Sequence, residues 1–372
     1  MDNKKLEQIL TKNNQPKFRL GQIQKAIFRD GVSSFSEITT ISKDLRDILE
    51  KEIKMLSFDV EKVLVAKDKQ SIKALLKIPG CHSERSVAES KNLSPDPSAS
   101  VGMTEYDLIE TVLISPKPNV WSACISCQVG CAMGCKFCAT GKMGFKRNLT
   151  AEEITDQILF WKQYLRAENK ISDIVFMGMG EPFLNWENVS KSIKTLIDKN
   201  LFGFGSRSLS VSTAGIAEGI EKMAQEFPQV NLAISLHFAS DEKRSGYMPI
   251  NKKDNLQSLK NALQKYFQTA RRKVFLEYIM LDGINDSAED AKILTEYVNS
   301  IGNTRLLHVN LIRYNVSPAS GDENLKPSSG NRTQFFKGKL MKRGINVTIR
   351  KSLGEEIQGA CGQLAGKNQQ PL

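Results

Sequence analysis

From about residue 117 onward the chain alternates short apolar runs with amphipathic segments, and this pattern constrains the fold more than any other feature. Runs typical of β-strands lie at residues 173–178, 208–213, 230–237, 273–281 and 306–314. Helical patterns separate most of them, as at residues 256–267. A helix also begins at Thr150, where Glu153 completes a capping box. The alternation predicts parallel strands with right-handed crossovers, so we expect an α/β fold with a partial (β/α)6 barrel, similar to a TIM barrel, over residues 117–350.

The first 55 residues predict a small helical domain. Gly31 ends one helix, whose apolar positions are Leu20, Ile23 and Ile27. A second helix follows Ser42 as its N-cap and carries apolar residues at helical spacing, namely Leu45, Ile48, Leu49 and Ile53.

Residues 56–116 predict a short β extension between the helical domain and the barrel. Strand-like runs lie at residues 63–68, 71–78 and 107–114. Between the last two, residues 79–104 are rich in serine and have no apolar periodicity, so we expect a disordered insertion there. Residues 351–372 follow the barrel as a C-terminal tail.

The chain is basic, with a formal net charge of +11 over 372 residues. Such a charge favours a polyanionic partner such as RNA without establishing one. No apolar run approaches the roughly 20 residues that a membrane-spanning helix needs, and the first residues, MDNKKLEQIL, contain no apolar leader. We therefore expect a cytoplasmic protein with no membrane partner. In that compartment, crowded cysteines are metal ligands or catalytic groups more often than structural disulfides.

Five of the seven cysteines lie within the stretch CISCQVGCAMGCKFCATG at residues 124–141. Cys131, Cys135 and Cys138 form a C-x3-C-x2-C triplet. Thiolates at this density suit zinc or an iron–sulfur cluster. Four cysteine ligands would close a [4Fe–4S] cluster, whereas three leave one iron open to bind a small molecule, which indicates catalysis. The alternative is a zinc site completed by Cys124 or Cys127.

A wider set of motifs resembles the RlmN/Cfr group of radical S-adenosylmethionine (SAM) RNA adenosine methyltransferases. In chain order these motifs are KFRLGQIQKAIF, CISCQVGCAMGCKFCATG, GFKRNLTAEEI, MGMGEP, VSTAG, ISLH, NLIRYN and ACGQL. The resemblance covers nearly the whole chain apart from residues 79–104. It implies a radical SAM barrel and one [4Fe–4S] cluster per chain, whose open iron binds the amine and carboxylate of SAM.

The resemblance also implies which residues hold these groups. The cluster ligands would be Cys131, Cys135 and Cys138. SAM, two molecules per turnover, would be held by Gly180, Glu181, Ser212, Ser235, Leu236, His237 and Asn315. Each of these residues lies at or just beyond the C-terminal end of a predicted strand, where βα barrels assemble their sites. Taken singly, each position would more often be structural.

In the mechanism that the resemblance implies, Cys361 first takes a methyl group from one SAM. A deoxyadenosyl radical, formed from a second SAM, removes hydrogen from this S-methyl group, and the carbon radical adds to adenine. Glu110 accepts the ring proton, and Cys124 attacks the thioether sulfur to give a transient Cys124–Cys361 disulfide. Without the family, Glu110 would be interpreted as a solvent-facing residue of a half-buried strand. Cys127 departs from the family, which usually has serine there, and is an alternative resolving thiol.

The implied product is an adenosine of 23S ribosomal RNA methylated at C2, at the peptidyl transferase centre, together with the tRNA adenosine 3′ of the anticodon. The motif GEPFLN at residues 180–185 favours this RlmN type, because Cfr has alanine after the glutamate. HVNLIRYN and PQVNL look at least as much like Cfr, which methylates C8 of the same ribosomal adenosine and confers antibiotic resistance. An alternative of another class is a non-catalytic, zinc-dependent RNA-binding module.

The implied partners are 23S rRNA, tRNA and an electron donor such as flavodoxin or ferredoxin. Residues 1–55 would be an RNA-binding accessory domain, because this region is basic and lies outside the barrel. We expect the chain to be a monomer.

Overall fold

Twelve β-strands lie in the residues that the computed structural model describes, which are 1–80, 106–166, 170–317 and 324–366. They are β1 (Asp59–Val65), β2 (Ser71–Pro79), β3 (Tyr106–Lys117), β4 (Val120–Cys124), β5 (Gln128–Gly130), β6 (Phe145–Asn148), β7 (Lys170–Phe176), β8 (Leu209–Thr213), β9 (Asn231–Ser235), β10 (Val274–Met280), β11 (Leu307–Arg313) and β12 (Val347–Arg350). The β5 and β6 strands form a two-stranded sheet, and the other ten form one large sheet.

Eleven α-helices connect or flank the strands in the same described ranges. They are α1 (Asn3–Lys12), α2 (Phe18–Gln24), α3 (Lys43–Glu52), α4 (Ala139–Lys142), α5 (Ala151–Leu165), α6 (Trp186–Ile197), α7 (Ala217–Glu226), α8 (Asp241–Tyr247), α9 (Leu256–Thr269), α10 (Ala288–Ile301) and α11 (Gly330–Met341). A π-helix, Lys25–Asp30, continues α2. None of these helices combines the length and the apolar character that crossing a bilayer requires.

The large sheet changes from antiparallel to parallel pairing at β4. Its strands run in the order β1-β2-β3-β4-β7-β8-β9-β10-β11-β12. The first four pair antiparallel, whereas β4 and the six strands beyond it pair parallel. Parallel strands end at one edge of the sheet, which brings together the residues that follow them. The predicted α/β fold with six strand–helix units is confirmed, and β12 adds a seventh parallel strand.

The eight strand-like runs of the sequence all correspond to strands, with ends displaced by a few residues. The strands that the sequence did not single out are β4, β12 and the pair β5–β6. Since β2 continues to Pro79, the predicted insertion at 79–104 begins inside a strand. Residues 81–105, which hold the rest of that insertion, lie outside the described residues.

The N-terminal helices have the ends that the sequence predicts. The Ser42 side chain accepts a hydrogen bond from the first turn of α3, and Gly31 ends the π-helix with a φ of 73°. Two contacts join this region to α5. The N-terminal amino group binds the Asp156 carboxylate, and Lys162 Nζ donates to the Phe28 carbonyl at 2.6 Å.

The α5 helix connects the N-terminal helices with the large sheet. It begins with the predicted capping box, in which Glu153 N–H donates to Thr150 Oγ1 at 3.2 Å and Thr150 N–H donates to Glu153 Oε2 at 2.9 Å. Further along the helix, Trp161 is fully buried, and its Nε1–H donates to Thr111 Oγ1 in β3 at 3.0 Å. The α5 helix thus packs against β3, the strand that pairs with β4, and β4 leads into the cysteine stretch.

Candidate functional site

The cysteine triplet lies on the loop between β5 and α4. Cys131 directly follows β5, and its N–H donates to the Gly144 carbonyl at 2.9 Å. Cys138 is the N-cap residue of α4, and its N–H donates to the Cys135 carbonyl at 3.2 Å. Gly134, between the first two cysteines, has a φ of 61°, which favours glycine because a side chain would strain this left-handed backbone. The loop therefore turns sharply and brings the three thiols to one place.

All three thiols of the triplet line one cavity. Burial raises the pKa of Cys131 to about 12 and also raises the pKa of Cys135 and Cys138 above the ordinary thiol value. Mutual repulsion of the thiolates adds to the rise at Cys131 and Cys135. Because thiolates are the metal-binding form, this cavity needs a positively charged inorganic group to hold all three deprotonated.

Most of the strand-end residues predicted to hold SAM line the same cavity. Those that do so are Gly180, Glu181, Ser212, Ser235 and His237. Leu236 and Asn315 are not part of its lining. Leu236 is fully buried. Asn315 Nδ2 donates to the carbonyl of Cys361 at 3.2 Å, so Asn315 helps to hold Cys361 in place.

Glu181 places a buried carboxyl group on the cavity wall. One carboxylate oxygen accepts from Ala214 N–H at 2.7 Å, and the other accepts from Phe183 N–H at 3.1 Å. Burial outweighs these bonds and raises the pKa of Glu181 to about 7. Its own N–H donates to Gln128 Oε1 at 2.8 Å, and a Cβ on Gly180 would lie 2.6 Å from the Gln128 side chain. This close approach requires glycine, and the resulting wall can receive a cationic amine.

His237 contributes a neutral ring to the same lining. Its Nδ1 accepts from Ile279 N–H at 3.1 Å, so the neutral ring carries its proton on Nε2. Burial lowers the pKa of His237 to about 3. The ring packs edge-on against Phe137, with ring centroids 4.9 Å apart. This histidine therefore contributes shape and one hydrogen-bond donor, not acid–base chemistry near neutral pH.

Residues 351–366, the C-terminal segment, supply another wall of the cavity through Cys361 and the residue after it. The N–H of Ala139 donates to the Gly362 carbonyl at 2.8 Å. Thr140 Oγ1 donates to a carbonyl two residues further along the segment at 2.6 Å. Since both donors lie in the first turn of α4, the segment is held directly against the cysteine loop.

A second cavity joins Cys361 to Cys124. Both cysteines line it, together with Cys138 and Arg350. Burial raises the pKa of Cys124 to about 12, with a further contribution from the charge of Cys361, while Arg350 acts in the opposite direction. Cys127 is also buried but lines neither cavity. The structure therefore brings Cys124, and not Cys127, beside Cys361.

Glu110 is buried, with 2% of its surface exposed, so its interpretation as a solvent-facing residue is wrong. One carboxylate oxygen accepts from Lys73 Nζ at 2.7 Å. The other accepts from the N–H groups of Ala365 at 2.7 Å and Gly366 at 3.2 Å. Lys73 also donates to the Gln358 carbonyl at 3.2 Å. The Lys73–Glu110 pair thus anchors the C-terminal segment, and Glu110 lines neither cavity.

Arg350 is a site residue that the sequence analysis missed. It ends β12, lines both cavities, and its Nη1 lies 3.9 Å from Glu277 Oε2. The charge of Cys361 raises the pKa of Arg350, and Glu277 and Cys124 contribute in the same direction. A permanent cation therefore lies close to both thiols of the second cavity. One arginine at the end of a short strand gives no sequence signal of its own.

Two protein-family models match the chain. That of the Radical SAM superfamily matches residues 125–294, and that of the ribosomal RNA large subunit methyltransferase N-terminal domain matches residues 1–55. A protein from Clostridium botulinum (strain Langeland) named ribosomal RNA large subunit methyltransferase Cfr is 38% identical over 366 residues, which cover 98% of this chain and 97% of that protein. The chain belongs to the Cfr/RlmN family.

Other family members match along the same length. The proteins named ribosomal RNA large subunit methyltransferase Cfr from Bacillus velezensis and Staphylococcus aureus are 38% and 37% identical, each covering 98% of this chain and 96% of the relative. The crystal structure of a radical SAM methyltransferase from Sphaerobacter thermophilus superposes with a TM-score of 0.85 at 33% identity, covering 99% of this chain and 98% of that one. The resemblance that the motifs indicated over nearly the whole chain is thus confirmed.

Membership of the Cfr/RlmN family implies a [4Fe–4S] cluster and SAM, and the cysteine triplet fits such a cluster. Three buried thiols line one cavity, which is the ligand set that leaves one iron open. Among the described residues, no group of three histidine, cysteine, aspartate or glutamate side chains is arranged to hold a metal ion. A [4Fe–4S] cluster does not require its three thiolates to surround a single metal ion, because each thiolate binds a different iron.

Proposed function

We propose that this protein is a radical SAM methyltransferase that methylates C2 of an adenosine in 23S ribosomal RNA, at the peptidyl transferase centre. One observation carries the proposal: Cys361 shares a single cavity with the three thiols of the triplet and with the strand-end residues of the SAM motifs. A methyl-accepting thiol has to reach SAM at the cluster, and a common cavity satisfies that need.

In this proposal Cys131, Cys135 and Cys138 hold the cluster. When bound, the cluster supplies the electron that cleaves SAM reductively. Around it, the Glu181 carboxylate receives the SAM amine, and the strand-end residues orient the rest of the molecule. These buried groups also exclude water, which protects reactive carbon species from side reactions.

Cys361 receives the methyl group as a thiolate, which displaces the neutral thioether of SAM. After the methylene radical has bonded to adenine, the odd-electron adduct returns the one electron that started the reaction and loses the ring proton. A second thiolate then attacks the Cys361 sulfur to form a disulfide, the carbon–sulfur electron pair remains with the RNA carbon, and this carbon takes up a proton to become the methyl group. We assign this attack to Cys124, because it lines a cavity with Cys361. Arg350 lines the same cavity, and its positive charge favours the thiolate form of Cys124 against the effect of burial.

The family resemblance gives Glu110 the role of proton acceptor. Both of its carboxylate oxygens are occupied, one by Lys73 and the other by backbone N–H groups of the C-terminal segment. Because Glu110 is also buried and lines neither cavity, it can accept the ring proton only after this segment has moved. We propose that it anchors the segment first and accepts the proton afterwards.

C8 methylation of the same adenosine is a second candidate. It is favoured by the relatives described above, which carry the name Cfr, whereas C2 methylation is favoured by Pro182 after Glu181. Pro182 begins the 3-10 turn Pro182–Asn185, in which Phe183 packs edge-on against Trp186. This turn directly follows a SAM-binding position, so the residue after Glu181 can affect how the substrate base lies against SAM.

We also propose a tRNA substrate, methylated at the adenosine 3′ of the anticodon, and a small electron-transfer protein such as flavodoxin or ferredoxin as the electron donor. Residues 1–55 are proposed to hold the RNA, because they lie outside the parallel sheet and carry many lysine and arginine residues.

The test is an anaerobic reaction of the reconstituted enzyme with SAM, reductant and fragments of 23S rRNA or tRNA. Digestion to nucleosides, followed by comparison with 2-methyladenosine and 8-methyladenosine standards, identifies the product. We expect 2-methyladenosine from the wild type and none from a Cys361→Ala variant. The C8 isomer alone would reject the C2 assignment, and unmodified RNA from a cluster-loaded wild type would reject the proposed function.

The resolving role of Cys124 has its own test. In a Cys124→Ala variant the earlier steps stay intact, so the RNA should remain covalently attached to Cys361 and migrate with the protein on a denaturing gel. The adduct should vanish in a Cys124→Ala/Cys361→Ala double variant. Cys127→Ala is the matched control, since Cys127 lines neither cavity, and it should release methylated RNA. Free turnover of the Cys124→Ala variant would contradict the assignment.

A further inference from the structure

Arg244 is a completely buried arginine in α8, with 0% of its surface exposed. Every hydrogen bond that its guanidinium donates to a described residue goes to a neutral acceptor. Its Nε donates to the Leu236 carbonyl at 3.2 Å, and its Nη2 donates to the carbonyls of Ala214 at 2.6 Å and Ser235 at 3.5 Å. Its Nη1 donates to Asn251 Oδ1 at 2.9 Å. Each guanidinium nitrogen thus has at least one acceptor, but none of these groups carries a negative charge that could neutralise the arginine.

Within the part of the chain that the structure describes, Arg244 forms no salt bridge. The charges of Asp241 and Asp254 act on Arg244 from nearby, and Asn251 Nδ2 also links it to Asp241 by donating to Asp241 Oδ1 at 2.9 Å, but neither carboxylate forms a salt bridge with the guanidinium. A buried charge without a direct partner is strongly unfavourable, so proteins keep one where an opposite charge is close by. The position of Arg244 therefore calls for an anion in its surroundings.

The cysteine triplet lies in those surroundings. The helix that carries Arg244 contacts the cysteine loop, because Lys136 N–H donates to the Tyr247 carbonyl at 3.0 Å. The residue after this helix, Met248, lines the cavity of the three thiols. Arg244 Nη2 donates to the carbonyls of Ala214 and Ser235, and both of these residues line that cavity, so the guanidinium lies directly behind the cavity wall.

We infer that Arg244 is the buried counter-charge of the iron–sulfur cluster and raises the reduction potential of that cluster. The inference rests on the proposed function, since it requires a cluster on Cys131, Cys135 and Cys138. A cluster held by three thiolates carries a net negative charge, and reduction adds a further electron. A fixed cation nearby stabilises the reduced form more than the oxidised form, so the potential rises.

The same residue also positions the site, because its guanidinium binds the backbone at two strand ends, after β8 and at the end of β9. A purely positional role predicts a different result from a role as counter-charge. Replacement by lysine keeps the positive charge but removes the guanidinium hydrogen bonds to the backbone, whereas replacement by methionine removes both. Comparison of the two variants separates the charge from the geometry.

The experiment is a redox titration of the cluster in the reconstituted full-length protein, followed by electron paramagnetic resonance of the reduced cluster. We expect the midpoint potential to become more negative in Arg244→Met and to stay nearer the wild-type value in Arg244→Lys. Arg272→Met is the matched control, because Arg272 precedes β10 at the opposite end of the sheet and binds the Asn231 side chain. Its potential should equal that of the wild type.

If Arg244→Met loads its cluster too poorly for a redox titration, the thermal unfolding temperature with and without the cluster is measured instead. Cluster loading should raise the thermal unfolding temperature of the wild type more than that of Arg244→Met, because only the wild type gains an ion pair on loading. Equal gains in both proteins, or equal potentials in loaded wild type and Arg244→Met, would overturn the inference. A wild-type protein that binds no cluster would instead reject the proposed function.

Discussion

Replacement of Lys73 by methionine tests how strongly the C-terminal segment is anchored. The Lys73 and Glu110 side chains are 4% and 3% exposed, and their charged atoms lie 2.7 Å apart. Removing the ammonium group leaves a buried carboxylate with only two backbone N–H partners. Loss of one member of a buried ion pair costs about 3–5 kcal/mol of stability, because the remaining charge is uncompensated. We expect a loss of this size in Lys73→Met.

The assay is urea unfolding of the reduced, cluster-free protein. With a denaturant slope of about 3 kcal/mol per molar urea, the midpoint should fall by about 1 M or more. Lys54→Met is the control, because Lys54 and Asp59 are 84% and 66% exposed and lie 3.9 Å apart, so its loss should stay below about 1 kcal/mol. Trypsin should also cut after Lys351 faster in Lys73→Met. Equal midpoints for the two variants would refute the reasoning.

Three further predictions concern a helix cap, a thiol and a carboxyl group. Thr150→Ala should lower the free energy of unfolding by about 1 kcal/mol in thermal unfolding, because Thr150 is the N-cap of α5. An unchanged melting temperature would contradict this capping role. Iodoacetamide should label the exposed Cys361 of the cluster-free protein long before the buried Cys127, and peptide mass spectrometry gives both rates. Burial raises the pKa of Glu181 from 4.5 to about 7, so the folded state binds this proton more tightly than the unfolded chain. The stability of the cluster-free protein should therefore fall by about 3 kcal/mol between pH 4.5 and 7, and Glu181→Gln should remove this part of the slope.

Local patterns in the sequence predicted the elements that depend on near neighbours. Apolar periodicity located most strands, and the caps at Ser42 and Thr150 follow from side chains that bind the backbone three residues away. The spacing of the cysteine triplet predicted a common site because a short loop with glycine at a sharp turn keeps its thiols close together. None of these features requires knowledge of distant parts of the chain.

The missed features depend on contacts between residues far apart in sequence. Lys73 and Glu110 are separated by 37 positions, and neither is unusual in its own strand. Arg244 gives no apolar or motif signal, although it is among the largest fully buried side chains. Cys124 and Cys127 differ only in their position relative to the end of β4, a strand too short to be recognised from its five residues. The sequence alone therefore left their roles open.

The wall that holds Cys361 is the part of the site that the ribosome makes last. Synthesis proceeds from the N-terminus, so the cysteine triplet and the strand-end residues leave the ribosome before the C-terminal segment exists. A nascent chain thus has three thiols on an incomplete cavity, and addition of residues 351–366 supplies another wall together with the thiol of Cys361. A chain truncated before Lys351 keeps all three thiols of the triplet and lacks Cys361. The cavity therefore stays open on one side until residues 351–366 have been made.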